Sequence, residues 1–285
     1  MHKHKINSKF NKIKINTGYS VIDCQQCGFI HVHPIPPKDL LNNFYTNHYK
    51  DKLEKKNSLD KLRILEKITK YRSILDVGSG DCSFLNVFKK NKWEVCGIEQ
   101  SKLVDVKDKI KVYNKSFDDI EYKKMPKFGV VSLNFFLEHH PNPIKAIKLI
   151  KKYLLKNNGI LQIEVPNDFN KFQLAANKIV KKKQWWVAFP DHLNYFNSTS
   201  LQKLLKKMGF EIIKATSSFP LEIFILMGEN YVDNKKLGKI IQQKRVKFEN
   251  NLLKTQNDKI KNIFYESLAQ NDLGRTSIIF AKKVS

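Results

Sequence analysis

The sequence predicts an α/β protein built on a parallel sheet covered by helices on both faces. Two observations carry that reading. From Ile74 onward, short apolar runs suited to buried strands alternate with amphipathic segments of helical period. Between Ile74 and Phe84 (ILDVGSGDCSF) the chain passes from such a run through a glycine-rich turn into a helical pattern opening at Ser83.

The strand candidates are 73–77, 93–98, 111–114, 128–134 and 159–165, with 211–217 and 276–282 further along. After the glycine turn, Phe84 and Phe88 fall four apart on one helix face. A second helix is expected from Pro143 to Lys156, burying Ile147, Ile150 and Leu154 and stopped by Asn157, Asn158 and Gly159. A third is expected from Thr199, with Thr199 and Gln202 forming a capping box and Gly209 ending it after Leu201, Leu204, Leu205 and Met208. Residues 1–72 precede this alternation, 168–197 interrupt it, and 219–272, mainly helical in pattern, separate the last two strands.

The glycine turn carries the chemistry. A buried strand ending in Gly78-Ser79-Gly80 lets the backbone turn tightly and lets a ligand approach peptide groups that no Cβ screens. A second strand-like run, WEVCGIEQ, ends at Glu99, 23 residues beyond Asp76 (99 − 76). An acid so placed can accept hydrogen bonds from both ribose hydroxyls of a nucleoside. A dinucleotide is disfavoured, because Asp81, Cys82 and Ser83 follow Gly80 and no third glycine completes G-x-G-x-x-G. Asp81 would also repel a pyrophosphate, whereas a cofactor with an amino-acid tail and a sulfonium tolerates it.

The order of Asp76, Gly78 and Gly80 after an apolar strand resembles the first motif of class I S-adenosylmethionine-dependent methyltransferases. The resemblance continues through FGVVSLNFFLEHHPNP (Phe128 to Pro143), NGILQIEVPN (Asn158 to Asn167), the stretch from Asp191 to Leu201, and Met208 to Phe210. Upstream, DCQQCGFIHVHPIPPKDLLNNFYTNHY (Asp23 to Tyr49) resembles a leader of methyltransferases in sugar and surface-polysaccharide pathways. The resemblance implies a doubly wound, seven-stranded Rossmann-like sheet, mostly parallel with the last strand antiparallel. It divides the chain into a leader over 1–72, with a Cys-x-x-Cys knuckle and a helical lid, and a methyltransferase domain over 73–285. The insertions 168–197 and 219–272 would then cover the substrate side.

It also implies S-adenosylmethionine as cofactor. Gly78 and Gly80 would meet the methionyl tail, Asp76 would orient the loop and the tail's ammonium, and Glu99 would hold the ribose. The adenine would lie by Ser116, Phe117 and Asp118, and Asn134 and Phe135 would border the sulfonium. Tyr45 and Tyr49 would lid the cofactor. Transfer from a sulfonium asks mainly for alignment, with a base needed only where the acceptor loses a proton. His139, His140 and His192 are the candidates, because imidazole accepts protons near neutral pH, with His139 and His192 the two favoured. The insertion around QWWVAFPDHLNYF concentrates Trp185, Trp186, Phe189, Tyr195 and Phe196, which suits either a hydrophobic plug or a substrate wall around His192.

The chain of 285 residues carries a formal charge of +25, which invites a nucleic-acid reading. Yet only four of the 52 basic residues are arginines (Arg63, Arg72, Arg245, Arg275), and the other 48 are lysines spread over nearly every segment. Arginine is the usual fork for phosphates and base edges, so a small-molecule acceptor is expected and no specific nucleic acid. An RNA methyltransferase and a non-catalytic cofactor-binding protein are the alternatives. Base-amino methyltransferases usually carry a Pro-Pro-aromatic motif where this chain has Phe135, Phe136 and Leu137. No run approaches the ~20 apolar residues of a membrane span, and the start lacks the apolar stretch of a secretory signal. A cytoplasmic protein is therefore expected. Cys24 and Cys27 form one Cys-x-x-Cys; related leaders often carry two such pairs, which together make a zinc ribbon. Here the upstream pair is absent and His2 and His4 are the only upstream nitrogen donors, so a metal-free knuckle is expected, with a Cys2His2 site as the alternative.

Overall fold

The computed structural model describes residues 5–10, 12–16, 18–41, 44, 58–101, 110–255 and 258–284. In chain order its strands are β1 (Ile13–Asn16), β2 (Tyr19–Cys24), β3 (Phe29–His33), β4 (Ser73–Val77), β5 (Glu94–Ile98), β6 (Lys111–Tyr113), β7 (Phe128–Asn134), β8 (Leu155–Pro166), β9 (Asn194–Tyr195), β10 (Phe210–Ser217) and β11 (Thr276–Lys283). Its α-helices are α1 (Ser58–Ile68), α2 (Ser83–Lys90), α3 (Pro143–Leu149), α4 (Lys171–Val180), α5 (Ser198–Lys207), α6 (Glu222–Leu226), α7 (Lys235–Lys254) and α8 (Asp258–Gln270). The chain forms two compact units, one of Met1–Pro34, Val165–Lys203 and Ala215–Ile278, the other of Ile35–Glu164, Leu204–Lys214 and Ile279–Ser285.

The large sheet has seven strands in the order β10-β11-β8-β7-β4-β5-β6, mostly parallel with one antiparallel strand, as the sequence led us to expect. β4 is flanked by β5 and β7, both parallel to it. Ile74, Leu75, Val77, Val130, Val131 and Leu133 are fully buried, so these strands read as continuous apolar runs and not as alternating ones. The chain winds outward from β4 through β5 to β6, then returns to lay β7 on the other side of β4. That reversal opens a crevice at the carboxyl ends of β4 and β7, where ligands of such sheets bind.

Two local expectations are corrected. The helix begun at Pro143 is capped by Asn142, whose side chain accepts from the Lys145 amide, with proline in the first turn. It does not run to Lys156: α3 ends at Leu149, one π-helical turn (Ile150–Leu154) follows, and β8 begins at Leu155. The periodic burial of Ile147, Ile150 and Leu154 is as expected, but Leu155 already pairs with Phe128, so sheet pairing ends the helix before the Asn-Asn-Gly stretch. At α5 the capping residue is Asn197, whose Oδ1 accepts from the Ser200 amide at 2.8 Å. Gln202 reaches the Ser198 hydroxyl at 3.1 Å, so Thr199 is not the cap.

In the first unit a four-stranded sheet runs β1-β2-β3-β9, its antiparallel hairpin of β2 and β3 extended by a short strand from the 168–197 insertion. Tyr195 packs with Val21 and Val32 at its centre, and Ile13, Tyr19, Phe169, Val187 and Phe189 surround them. Trp186, Tyr195 and Phe196 are all buried. These three pack as the plug reading expects, whereas Trp185 and Phe189 are half-buried. Tyr45, Tyr49, His2 and His4 lie outside the described residues.

Gly129 sits in β7 where a Cβ would fall 2.0 Å from the Cβ of Tyr71, which lies across the strand. Gly129→Ala should therefore destabilise the chain by about 1–3 kcal/mol, the usual cost of overpacking. Urea unfolding followed by circular dichroism measures it, and an unchanged midpoint would show that Tyr71 moves aside freely.

Candidate functional site

The site is built within the second unit, at the carboxyl ends of β4, β5, β7 and β8. Beyond Val77 the backbone passes through left-handed conformations at Gly78 (φ 74°) and Gly80 (φ 48°), which glycine adopts without strain. Gly78 and Ser79 donate their amides to the Ile98 carbonyl at 2.8 and 3.1 Å, and Gly80 donates to Glu99 Oε2 at 2.9 Å. The loop is thus fastened along the end of β5. Its glycines offer a ligand bare backbone surface, and their own amides are already engaged. A Cβ on Gly97 in β5 would fall 2.5 Å from the Ser79 hydroxyl, so this glycine too is needed for the loop to lie down.

Glu99 is buried, and each carboxylate oxygen takes one backbone amide: Oε2 from Gly80 and Oε1 from Ser101 at 2.8 Å. A carboxylate offers about four acceptor positions, so the geometry leaves room for two more donors. A vicinal diol supplies two. The residues present therefore fit the ribose of a nucleoside cofactor.

Asp76 is buried beneath this loop and points toward β7. Its Oδ1 accepts from the Ser132 hydroxyl at 2.6 Å and the Asn134 amide at 3.0 Å. Burial pushes its carboxyl up to about 7, against the pull of these hydrogen bonds and of Lys61. Asn134 is held from both sides, because its Oδ1 accepts from the Lys61 ammonium. Lys61 comes from α1 and ion-pairs with Glu164 of β8 at 2.5 Å, both side chains being 5% exposed. A charged residue is almost never so buried unless paired. Asp76, Ser132, Asn134, Lys61 and Glu164 thus form one polar row under the strand ends.

The chain leaves β7 through Phe135, which takes a left-handed conformation (φ 52°) and donates its amide to the Glu164 carbonyl. That conformation is costly for a bulky residue, and it turns the backbone sharply at the strand's end. Phe136 then lies within 3.4 Å of where a Gly78 Cβ would be. Phe117 is buried and meets Phe136 edge-on at 5.4 Å between centroids. Ser116 precedes a short 3-10 turn, Phe117–Asp119, and Asp118 inside it faces His140 at 3.5 Å and Lys145 at 3.3 Å. Hydrogen bonding from His140, aided by Lys145, holds Asp118 down at about 2, so it is an acceptor at neutral pH.

The structure therefore brings Asp76, Gly78, Gly80, Glu99, Asn134 and Phe135 to neighbouring strand ends, with Ser116, Phe117 and Asp118 beyond β6. His139 lies in the same unit, 3.8 Å from the carboxylate of the buried Glu138. His192 belongs to the first unit, with Asp191 at 3.9 Å and its carbonyl accepting from the Tyr195 hydroxyl. Sequence reasoning missed Lys61, Ser132 and Glu164. Glu164 did leave a signal, an acid within the apolar run ILQIEVP; Lys61 left none among 48 lysines.

Removing one partner of a buried ion pair leaves the other charge uncompensated, at a cost of about 3–5 kcal/mol. Lys61→Met should lower unfolding stability by that amount, and Lys61→Met with Glu164→Gln should recover part of it. Equal stability of the single variant and the parent in urea would show that the pair carries no weight.

No curated protein matches the sequence. Among solved structures, the chain is similar to an S-adenosylmethionine-dependent methyltransferase from Archaeoglobus fulgidus (TM-score 0.52, 17% identity, covering 87% of this chain and all of that one). It is also similar to 1,6-didemethyltoxoflavin-N1-methyltransferase from Burkholderia thailandensis, solved with S-adenosylhomocysteine (TM-score 0.52, 11% identity, 97% of this chain and all of that one). At these identities the likeness is one of fold. The family model described as "Methyltransferase domain" matches residues 49–215, a span that holds every described residue of the candidate cofactor site. With more than half of its length in that match, the chain belongs to the methyltransferase-domain family and is an S-adenosylmethionine-dependent methyltransferase.

Proposed function

We propose that this enzyme methylates a small-molecule acceptor, a sugar or nucleotide sugar of surface-glycan assembly. The observation that carries the methyl-transfer part is Glu99, fixed by the Gly80 and Ser101 amides with two acceptor positions to spare. The acceptor class rests on the likeness of the leader, Asp23 to Tyr49, to leaders of sugar-pathway methyltransferases. RNA as acceptor is disfavoured by the scarcity of arginine and by Phe135-Phe136 where base-amino enzymes carry prolines.

Bound S-adenosylmethionine supplies a methyl group on a sulfonium leaving group. Glu99 would take the ribose hydroxyls, Asp76 the charge of the methionyl ammonium, and Asp118 the adenine amino group. Asn134, held between Asp76 and Lys61, would border the sulfonium. Phe135 and Phe136 would shield it from water on that side. Where the acceptor loses a proton, His139 would take it, beside the Glu138 carboxylate that would stabilise the imidazolium formed.

Labelled methyl transfer from S-adenosylmethionine to a panel of nucleotide sugars, with total RNA as comparison, tests the acceptor class. Incorporation into a nucleotide sugar is expected, and incorporation into RNA alone would overturn the assignment. Glu99→Ala should weaken S-adenosylhomocysteine binding by about 1.5–3 kcal/mol for each hydrogen bond lost, as an upper guide. An unchanged dissociation constant in a folded variant would make Glu99 a bystander.

Asp76 adds a pH dependence. With its carboxyl near 7, it carries a proton at pH 6, while a cation beside it selects the carboxylate. Cofactor binding then expels that proton, so affinity should fall by up to about tenfold per pH unit below 7 and level off above it. Asp76→Asn should abolish the slope, and a slope of the same size in that variant would remove Asp76 from the binding site. Protein stability has the opposite sign. A carboxyl raised by burial contributes most below the unfolded value of 3.8, and that contribution is lost as pH rises toward 7.

A further inference from the structure

We propose that Cys24, Cys27 and His31 form a zinc site that clamps the β2–β3 hairpin. The two thiols and the imidazole offer one ligand atom each, and the three atoms lie within 4.8 Å of one another. On a tetrahedral zinc with Zn–S near 2.3 Å, two ligand sulfurs stand about 3.8 Å apart, so closure needs only ~1 Å of side-chain movement. Two thiolates with one imidazole suit zinc better than a hard cation such as magnesium or calcium.

The backbone around these side chains is arranged as a metal site requires. Cys24 ends β2, and the turn brings the Cys27 amide to the Cys24 sulfur at 3.4 Å and the Gly28 amide to the Cys24 carbonyl at 2.8 Å. The first contact sets the Cys27 backbone against the Cys24 sulfur and so holds the turn between the two thiols. Gly28 takes φ 82°, the left-handed conformation that returns the chain into β3 with Cys24 opposite Phe29. His31 then falls two residues further along β3, on the same face of the strand as Phe29.

The imidazole is oriented as well. His31 Nδ1 lies 2.7 Å from the Val32 carbonyl, and a carbonyl only accepts, so Nδ1 is the donor. In the neutral ring this leaves the lone pair on Nε2, the tautomer that ligates, fixed by a backbone carbonyl as metal-bound histidines usually are. Cys24 and His31 are buried, and Cys27 is partly exposed. Coordination therefore has two buried ligands and one at the rim, with water completing the tetrahedron from the solvent side. On binding, both thiols release their protons and Zn2+ takes two thiolates and a neutral nitrogen, leaving no net charge on the centre.

The test uses the full chain, stripped with a chelator under reducing conditions and titrated with Co2+ and then Zn2+. One equivalent of Co2+ should give the visible bands of a tetrahedral ion with sulfur-to-metal charge transfer, and one equivalent of Zn2+ should abolish them. Cys24→Ser should lose this signal, and His31→Gln should weaken binding by at least about tenfold, while Cys96→Ser leaves it intact. In the unmutated protein, zinc should protect Cys24 and Cys27 from alkylation, read by peptide mass mapping, which holds even where a variant fails to fold. Absence of saturable one-equivalent binding would overturn the site, as would a Cys24→Ser variant that keeps the signal. Loss of the signal in His2→Ala or His4→Ala but not in His31→Gln would overturn the assignment of His31.

Discussion

The candidate cofactor site depends on one carboxylate fastening the loop beside which it must act. Glu99 receives the Gly80 amide on one oxygen and the Ser101 amide on the other. The first bond pins the glycine turn after β4 to the end of β5, and Ile98 pins it again one residue earlier. Because both anchors sit at the end of the same strand, the turn and the acid cannot move independently. A nucleoside placed on Glu99 is thereby placed against the bare backbone of Gly78 and Gly80, which is the preorganisation that in-line transfer needs. Gly97 is part of the same constraint, since any side chain there would displace Ser79.

Beneath the loop, charge is managed by pairing. The row from Asp76 through Asn134 to Lys61 and Glu164 places two acids and one ammonium in a region closed to water. Lys61 and Glu164 neutralise each other, which leaves Asp76 as the group whose ionisation is opposed by burial. An incoming ammonium would complete the balance. The arrangement holds Asn134 in one orientation, because its carbonyl oxygen faces a cation and its amide faces an acid. A buried polar network of this kind is costly to leave half-satisfied, which ties the stability of these strand ends to the same groups proposed to meet the ligand.

Much of this was legible in the sequence, for physical reasons that also mark where legibility ends. β4, β6, β7 and β10 lie within a residue of their expected bounds, and for β4 and β7 the reason is that buried parallel strands are short apolar runs ended by glycine or polar residues. Gly78, Gly80 and Glu99 stood out because a turn and an acid at fixed separation have few other uses. The end of α3 was misplaced because sheet pairing at Leu155 overrides local helix signals. β9 was missed because two residues cannot establish a period, and it exists only through its pairing with β3. Lys61 was invisible for a different reason: one buried lysine among 48 has no local mark, and its partners lie 73 and 103 residues away.

The claim that this loop and this acid take an adenosyl cofactor with an amino-acid tail, and not a dinucleotide, is tested most directly by calorimetric titration of the purified chain with S-adenosylhomocysteine and with NAD. The account predicts one site for S-adenosylhomocysteine with micromolar-scale affinity, roughly −8 kcal/mol, and no measurable heat with NAD. Tighter binding of NAD than of S-adenosylhomocysteine would contradict it.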